Sequence, residues 1–493
     1  MAEAFHENER RIAISGVMYT GFGRGVSIFV ETAVAIALPA FLGTVHYGSW
    51  VIFRSLLIMM GGFTVLGAGV TNVHYVSKVL EGKRDDAKRI FKAILAIRLM
   101  LGILAGSLGS FLLLKGGSEL FGPTAPIMLF GSIFLRVVGS SMLGLLQGER
   151  AFKKLAFTMV FRHCGTPVMV LFGYLAGGIE WVPASCLVGE LLYCFVILIA
   201  SKNYLGWVQG WPEKEEIRTI FGFTWQVSLA EVFQMMFVQS LPYVMKQMRV
   251  GLEQIAYVGL GLRLAQLVFS ILRQISGSLA PSMRIALETR GLEQVIVWRS
   301  FTCRVGVVLC LLSVGSFAFV GSYIVSWLWP DYAQASMIIL ACLLGTAPRW
   351  ISIEIGSVFQ VIERPGLYTL AVFCMILSFY SFLFLFPIGD RGLHYVGLLV
   401  MSMLIFMVSS QVLAKRRVGV SLGLQRLLPP TGAVGLAIWL ASLTVDPVID
   451  IILLSLWLVV FVSIVLCGGS VKWKEIRQIL YYARNAVHRP TTK

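Results

Sequence analysis

Fourteen apolar runs follow one another along this chain with only short polar breaks between them. They lie near 12–39, 47–76, 90–114, 123–147, 155–177, 183–203, 218–245, 254–281, 299–326, 333–361, 367–388, 392–413, 427–445 and 448–469. A helix of about 20 apolar residues spans the hydrocarbon of a bilayer, and backbone in lipid must satisfy its own hydrogen bonds. The pattern therefore predicts an all-α polytopic membrane protein with about 14 transmembrane helices. Composition agrees. Charged residues are 13% of 493 and mean hydropathy is +0.82, whereas a soluble chain of this length would carry about 25% charged residues. The N-terminus, MAEAFHENERR, precedes an apolar run far longer than a signal h-region, so the first run reads as a retained span.

Nine arginines lie five or more residues inside these runs, with no lysine or aspartate at that depth: Arg24, Arg54, Arg98, Arg136, Arg162, Arg263, Arg273, Arg304 and Arg349. A charge at mid-membrane costs about 2.5–3.5 kcal/mol on insertion scales, so nine facing lipid would cost roughly 20–30 kcal/mol. Most must face protein or a water-filled cavity. Guanidinium also grips phosphate through paired hydrogen bonds. The set points to a transporter with a cationic cavity and an anionic, phosphorylated cargo.

The remaining basic residues set the orientation. Of 41 Lys and Arg, 28 fall in loops and tails on one side, among them 77–92, Lys415-Arg416-Arg417 and the tail from Lys472, while four (Lys115, Lys246, Arg249, Arg391) fall on the other. The positive-inside rule then puts both termini in the cytoplasm. Net charge is +16, but the basic residues form no single arm or face, so nucleic acid is not a partner. Residues 204–217 read as an inter-lobe linker, which divides the chain into an N-terminal lobe (1–203), a C-terminal lobe (218–413), an accessory helix pair (427–469) and a basic tail (470–493). Within the tail, 471–486 places Trp473, Ile476, Ile479 and Leu480 on one helical face, suited to the membrane surface or to a frayed end.

A weak duplication underlies the two lobes. LGLLQGERAFKKLAFTMVF and GSVFQVIERPGLYTLAVFC mark the same junction in each, with Gln147 and Gln360 213 residues apart, as are Arg136 and Arg349. Tyr47 with Arg54 matches Tyr257 with Arg263, and Arg98 matches Arg304. Six spans per half is an even number, so the repeats are parallel, related by a pseudo-two-fold along the membrane normal.

Polar stripes at helical spacing mark the cavity-facing sides. They are Gly16, Thr20, Arg24, Ser27 and Glu31 in span one, and Arg136, Ser140, Gly144 and Gln147 in span four. Span eight carries Arg263, Gln266, Ser270, Arg273 and Gly277, and span ten Arg349, Ser352, Gly356 and Gln360. Their Ser, Gly and Gln members also suit helix packing. Arg98, Arg162 and Arg304 sit near the cytoplasmic side, where snorkelling is an even alternative. The candidate cargo-binding set is Arg24, Arg54, Arg136, Arg263, Arg273 and Arg349. Few acids enter the membrane: Glu31, Glu190, Glu231 and Glu354. Glu31 and Glu231 are the candidate coupling or ion-pair residues. An acid beside arginines either switches partners during transport or forms a permanent buried pair.

Nothing points to catalysis, a cofactor or a metal. The six histidines lack ligand spacing, and there is no GxxxxGK[ST] and no GxSxG. The eight cysteines all lie in apolar runs and read as small core residues. A membrane polymerase or ligase would want a large outer loop, and every outer loop is short.

The segment LGTVHYGSWVIFRSLLIMMGGFTVLGAGVTNVHYVSKVLEGKRDDAKR, together with LLQGERAFKKLAF and LAPSMRIALETRG, resembles the oligosaccharide (O-antigen) flippases of the multidrug/oligosaccharidyl-lipid/polysaccharide exporter superfamily, over roughly residues 12–410. The resemblance implies two six-helix lobes, alternating access, and a cargo of oligosaccharide on undecaprenyl pyrophosphate in a bacterial inner membrane, with membrane lipid and other polysaccharide assembly proteins as partners. The murein-lipid branch uses arginines of spans one, two and eight for the pyrophosphate, which here are Arg24, Arg54 and Arg263 or Arg273. Many members carry an aspartate late in span seven, where this chain reads QSLPYVMKQM. A murein-precursor flippase or a small-molecule exporter of the same fold is the alternative.

Overall fold

A computed structural model describes residues 2–64, 84–148, 151–208, 212, 214–290, 292–362, 364–386, 389, 391–419, 424–443, 446–467, 470 and 471. Among them there are helices and no strands. The order is α1 (Ala2–Phe63), α2 (Arg84–Gly116), α3 (Ala125–Gly148), α4 (Phe152–Gly177), α5 (Val182–Ala200), α6 (Lys214–Gln247), α7 (Leu252–Arg290), α8 (Leu292–Leu328), α9 (Ser336–Leu344), α10 (Thr346–Val361), α11 (Pro365–Leu385), α12 (Gly392–Val418), α13 (Leu428–Leu443) and α14 (Pro447–Cys467). Twelve helical segments of the described residues are long and apolar enough to cross a membrane. The expected tail helix at 471–486, the basic residues 77–83, and the Glu149-Arg150 and Glu363 elements of the repeat lie outside the described residues.

The first expected span and the described part of the second both lie within α1. Gly43 (φ 66, ψ 175) breaks the helix between them, in a region of backbone space that favours glycine. Neighbours on either side show that the chain reverses there. Gly23 lies against Ala156 near the start of α4, and His46 Nδ1 is 2.8 Å from the Tyr174 hydroxyl near its far end. Phe53 then meets Phe121, Met60 lies against Gly109, and Thr64 reaches Arg98. Sequence fixes other helix ends by familiar chemistry. Prolines open α5 and α11, whose first N–H groups would be orphaned anyway. Gly419, left-handed at φ 72, closes α12 behind Lys415, Arg416 and Arg417, cations that suit the negative end of a helix.

The chain forms two compact units, Met1–Ala256 and Tyr257–Lys493. In the first, α4 packs on α1 and α5, and α3 on α2 and α5. Small residues set the close approach: a Cβ on Gly189 would stand 2.6 Å from the Thr166 Cα. Span seven, read from sequence as the start of the second lobe, packs here as α6 on α1 and α2. Met235 lies over Gly62, the Ser55 hydroxyl donates to the Gln239 carbonyl, and the Tyr243 hydroxyl donates to the Leu112 carbonyl at 3.2 Å.

In the second unit, α8 is the hub, flanked by α10, α13 and α14, while α12 packs on α10 and α11. The packing order α2–α3, α3–α5, α4–α5 of the first unit recurs here as α8–α10, α10–α12, α11–α12. That recurrence is the structural counterpart of the duplication. Span ten is a single crossing, Pro330–Phe359, with internal structure. It is a 3-10 turn (Pro330–Ala335), then α9, then α10, parted at Gly345. The final pair is fastened to α8: the Tyr323 hydroxyl donates to Asp450 Oδ2 (2.8 Å), and Trp457 lies against Gly315 and donates to the Ala433 carbonyl (3.0 Å).

Candidate functional site

In unit 1, Arg136 projects from α3 past Gly61 of α1. Its Nη2 meets Glu190 Oε1 of α5 at 3.2 Å, the arginine side chain 23% exposed and the glutamate nearly covered. The Thr166 hydroxyl of α4 donates to the same carboxylate oxygen at 3.1 Å. Arg136 is therefore not a bare cation. It is one half of a buried pair that joins three helices, with a second hydrogen bond offsetting the desolvation of the acid.

Two arginines read as equally able to snorkel sit inside this unit. Arg98 is 3% exposed, its Nε donating to the Thr64 carbonyl (3.2 Å) and its Nη2 to Ser140 Oγ (2.6 Å). Arg162 of α4 is half-buried and stands within electrostatic reach of Arg98.

Glu31 is buried and pairs with His163 Nδ1 of α4. This joins α1 to α4 one residue beyond Arg162. Arg54 is half-buried on α1 and engaged by neighbouring groups. Arg24 and Glu231 lie on α1 and α6, with their side chains outside the described residues, as are those of Gln147 and Gln360.

In unit 2, Arg263 is half-buried and Arg273 exposed on α7. Arg349 of α10 lies with its guanidinium 4.4 Å above the ring of Phe269, which in turn meets Trp350 edge-on at 5.8 Å. An aromatic face under a guanidinium adds about 0.5–2 kcal/mol and leaves the edge of the fork free. Arg349 and Arg273 are within electrostatic reach of each other. Arg349 Nε is buried and makes no hydrogen bond among the described residues. The structure thus brings together Arg273 and Arg349 in unit 2, and Arg136 with Glu190 in unit 1.

Sequence reasoning missed one buried pair. Arg299, placed at the cytoplasmic edge of span nine, is 6% exposed, and its Nη1 meets Glu354 Oε2 at 3.1 Å. The Thr302 hydroxyl donates to that oxygen at 2.9 Å, and Trp350 Nε1 donates to the Thr302 carbonyl at 3.4 Å. The signal available was Glu354 itself, an acid mid-span that required a cation. Arg304, by contrast, turns its Nε onto the Ser300 carbonyl of its own helix. No group of three or more His, Cys, Asp or Glu among the described residues is placed to hold a metal.

No protein-family model matches the sequence, and no curated protein sequence matches it. Solved structures do. A multidrug-resistance MATE-family transporter of the MOP superfamily, inward-facing, superposes with TM-score 0.62 at 14% identity, covering 83% of this chain and 98% of that one. The lipid II flippase MurJ, inward closed, gives TM-score 0.62 at 14% identity over 92% of this chain and 98% of its own. A MOP-superfamily transporter from Pyrococcus furiosus, described by a binding pocket of reversed polarity, gives 0.58 at 13% identity over 82% and 95%. The chain has the fold of the MOP-superfamily transporters.

Proposed function

We propose that this protein is a non-enzymatic flippase that carries undecaprenyl-pyrophosphate-linked oligosaccharide units across a bacterial inner membrane by alternating access, for cell-surface polysaccharide. One observation carries the reading: Arg273 and Arg349, two guanidiniums on neighbouring helices of an apolar unit, stand within electrostatic reach of each other. Two such charges in a membrane protein repel unless an anion joins them, and a pyrophosphate offers each a bidentate acceptor. Arg24, Arg54, Arg136 and Arg263 complete the cargo set, with Glu31 and Glu231 as coupling partners. Both termini are cytoplasmic on the charge asymmetry of the loops, and the lobes divide at 204–217 as the sequence suggests.

The second reading is a murein-precursor flippase. It is favoured by the MurJ structure, which covers 92% of this chain against 83% for the MATE transporter. A small-molecule exporter of the same fold is the third, and a cationic cargo would suit acids rather than this set of arginines.

The deciding experiment places purified protein in vesicles with a fluorescent undecaprenyl-pyrophosphate trisaccharide and follows its accessibility to an external quencher. Protein-dependent flipping that competes with undecaprenyl pyrophosphate, and not with lipid II, supports the first reading. Competition by lipid II alone selects the second, and flipping of neither overturns both.

A further inference from the structure

The polar groups inside unit 1 fall into two layers one helical turn apart. The first is balanced in charge: Arg136 pairs with Glu190, which also accepts from Thr166, across α3, α5 and α4, while Arg136 Nε has no hydrogen-bond partner among the described residues. One turn further along α3 and α5 come Ser140 and Tyr193, and one turn back along α4 comes Arg162. Arg98 enters this second layer from α2, held by Ser140.

The second layer is not balanced. Arg98, Arg162 and the first layer's Arg136 and Glu190 are the charged groups acting on Tyr193, three positive against one negative. Tyr193 itself is 1% exposed, and its hydroxyl has no hydrogen-bond partner among the described residues. Its position is built. A Cβ on Gly139 would stand 2.4 Å from the Tyr193 Cε1, so only glycine lets the ring lie against α3. Phe91, Leu95, Met142, Leu155 and Ile197 close the shell around it. Water would satisfy the phenol but would leave the two guanidiniums repelling each other in apolar surroundings. A negatively charged acceptor answers both needs, and the tight apolar shell limits it to a few atoms.

We infer that Arg98, Arg162 and Tyr193 form a binding site for a compact anion of the halide or phosphate class, within unit 1 and one helical turn from Arg136 of the proposed cargo set. The anion accepts hydrogen bonds from the Tyr193 hydroxyl and from both guanidiniums, and so ties α2, α4 and α5 together. The site opens past Arg162 and Arg136, the two partly exposed members of the group.

The test does not depend on what the chain transports. Purified full-length protein in neutral phosphatidylcholine nanodiscs is unfolded by heat at constant ionic strength, with gluconate replaced stepwise by chloride or by inorganic phosphate. A saturable rise in the unfolding midpoint is expected for wild type with at least one of the two anions. Tyr193→Phe and Arg162→Gln should each raise the half-saturating concentration by about tenfold or more, the loss of one charge-assisted hydrogen bond. Tyr193→Phe removes only a hydroxyl, so it keeps the test valid if the arginine variant folds poorly. No saturable response in wild type, or an identical response in Tyr193→Phe, overturns the site. A further arm adds phosphatidylglycerol to the discs in gluconate. If the lipid alone raises the midpoint and abolishes the response to free anions, a headgroup phosphate is the occupant and the free-anion assignment falls. An unchanged response supports it.

Discussion

At the scale of single residues, the protein's chemistry rests on guanidinium rather than on positive charge alone. Arg54 and Arg263 hold positions where loss of the fork should matter most. Arg54→Ala and Arg263→Ala are expected to abolish export if the proposed cargo set is right, because each removes a guanidinium from it. Lysine in either place should rescue only in part, since an ammonium cannot offer the paired donors. Export by complementation, with membrane level measured alongside, checks this. Full export by the alanine variants removes both residues from the cargo set. The arginines themselves were legible because a single residue type recurs in apolar text. Their partners were not, since Glu190 meets Arg136, and His163 meets Glu31, only through the packing of α3 on α5 and α1 on α4.

Between elements, the Arg299–Glu354–Thr302 cluster is the clearest structural tie, joining α8 to α10 at a carboxylate with no exposed surface. Breaking it from one side leaves a buried charge, so Glu354→Gln or Arg299→Gln should each destabilise unit 2 by about 3–5 kcal/mol. Replacing both with apolar residues of similar volume should restore most of that loss. Thermal unfolding of the two single variants and the double variant forms the cycle, and additive losses would show that the pair is not coupled. The start of α7 imposes a different constraint: a Cβ on Gly48 would stand 2.1 Å from the Leu252 carbonyl oxygen. Backbone there has no flexible end to yield, so Gly48→Ala should lower the unfolding midpoint, whereas Gly25→Ala, with open space around it, should not. Hydropathy located nearly every helix, yet the junction within span ten at Gly345 was invisible to it. Gly345 keeps helical backbone angles (φ −66, ψ −16), so the junction is only a local loosening that hydropathy does not register. Hydropathy also put Arg299 outside the membrane, because a charged residue at a boundary reads as loop whether or not a buried acid awaits it.

For the whole molecule, the proposed anionic cargo sets the expectation for energy coupling. A dianionic headgroup moving outward against a potential negative inside gains roughly 2.3 kcal/mol per charge per 100 mV. Dissipating the potential in reconstituted vesicles should therefore slow export at a fixed pH gradient. On that proposal the return with empty arginines is the unfavourable half of the cycle, and Glu31 and Glu231 are the acids proposed to neutralise it. Glu31→Gln and Glu231→Gln should lower the turnover rate more than the affinity for cargo. Wild-type rates for both variants across a range of pH would shift the coupling role to other acids. Sequence carried the two-fold logic of the molecule through paired arginines. It did not foretell that α6 packs on α1 and α2, because a polar break between spans marks a loop without saying which neighbours the next helix will choose.

The ties at Tyr323 and Trp457 also bear on how the molecule is made. Tyr323 leaves the ribosome 127 residues before Asp450, its acceptor, so the outer flank of α8 enters the bilayer long before its cover does. During that interval a phenol and the groove at Gly315 face lipid, and α14 is the last stitch in the weave. A chain terminated after residue 423 would carry every cargo arginine and yet keep that flank bare, recognisable to the membrane's quality-control proteases as an unfinished product. A stop codon ahead of the final helix pair is therefore expected to lower the amount of protein in the membrane even though it spares the arginines, because Tyr323 and Gly315 lose their partners.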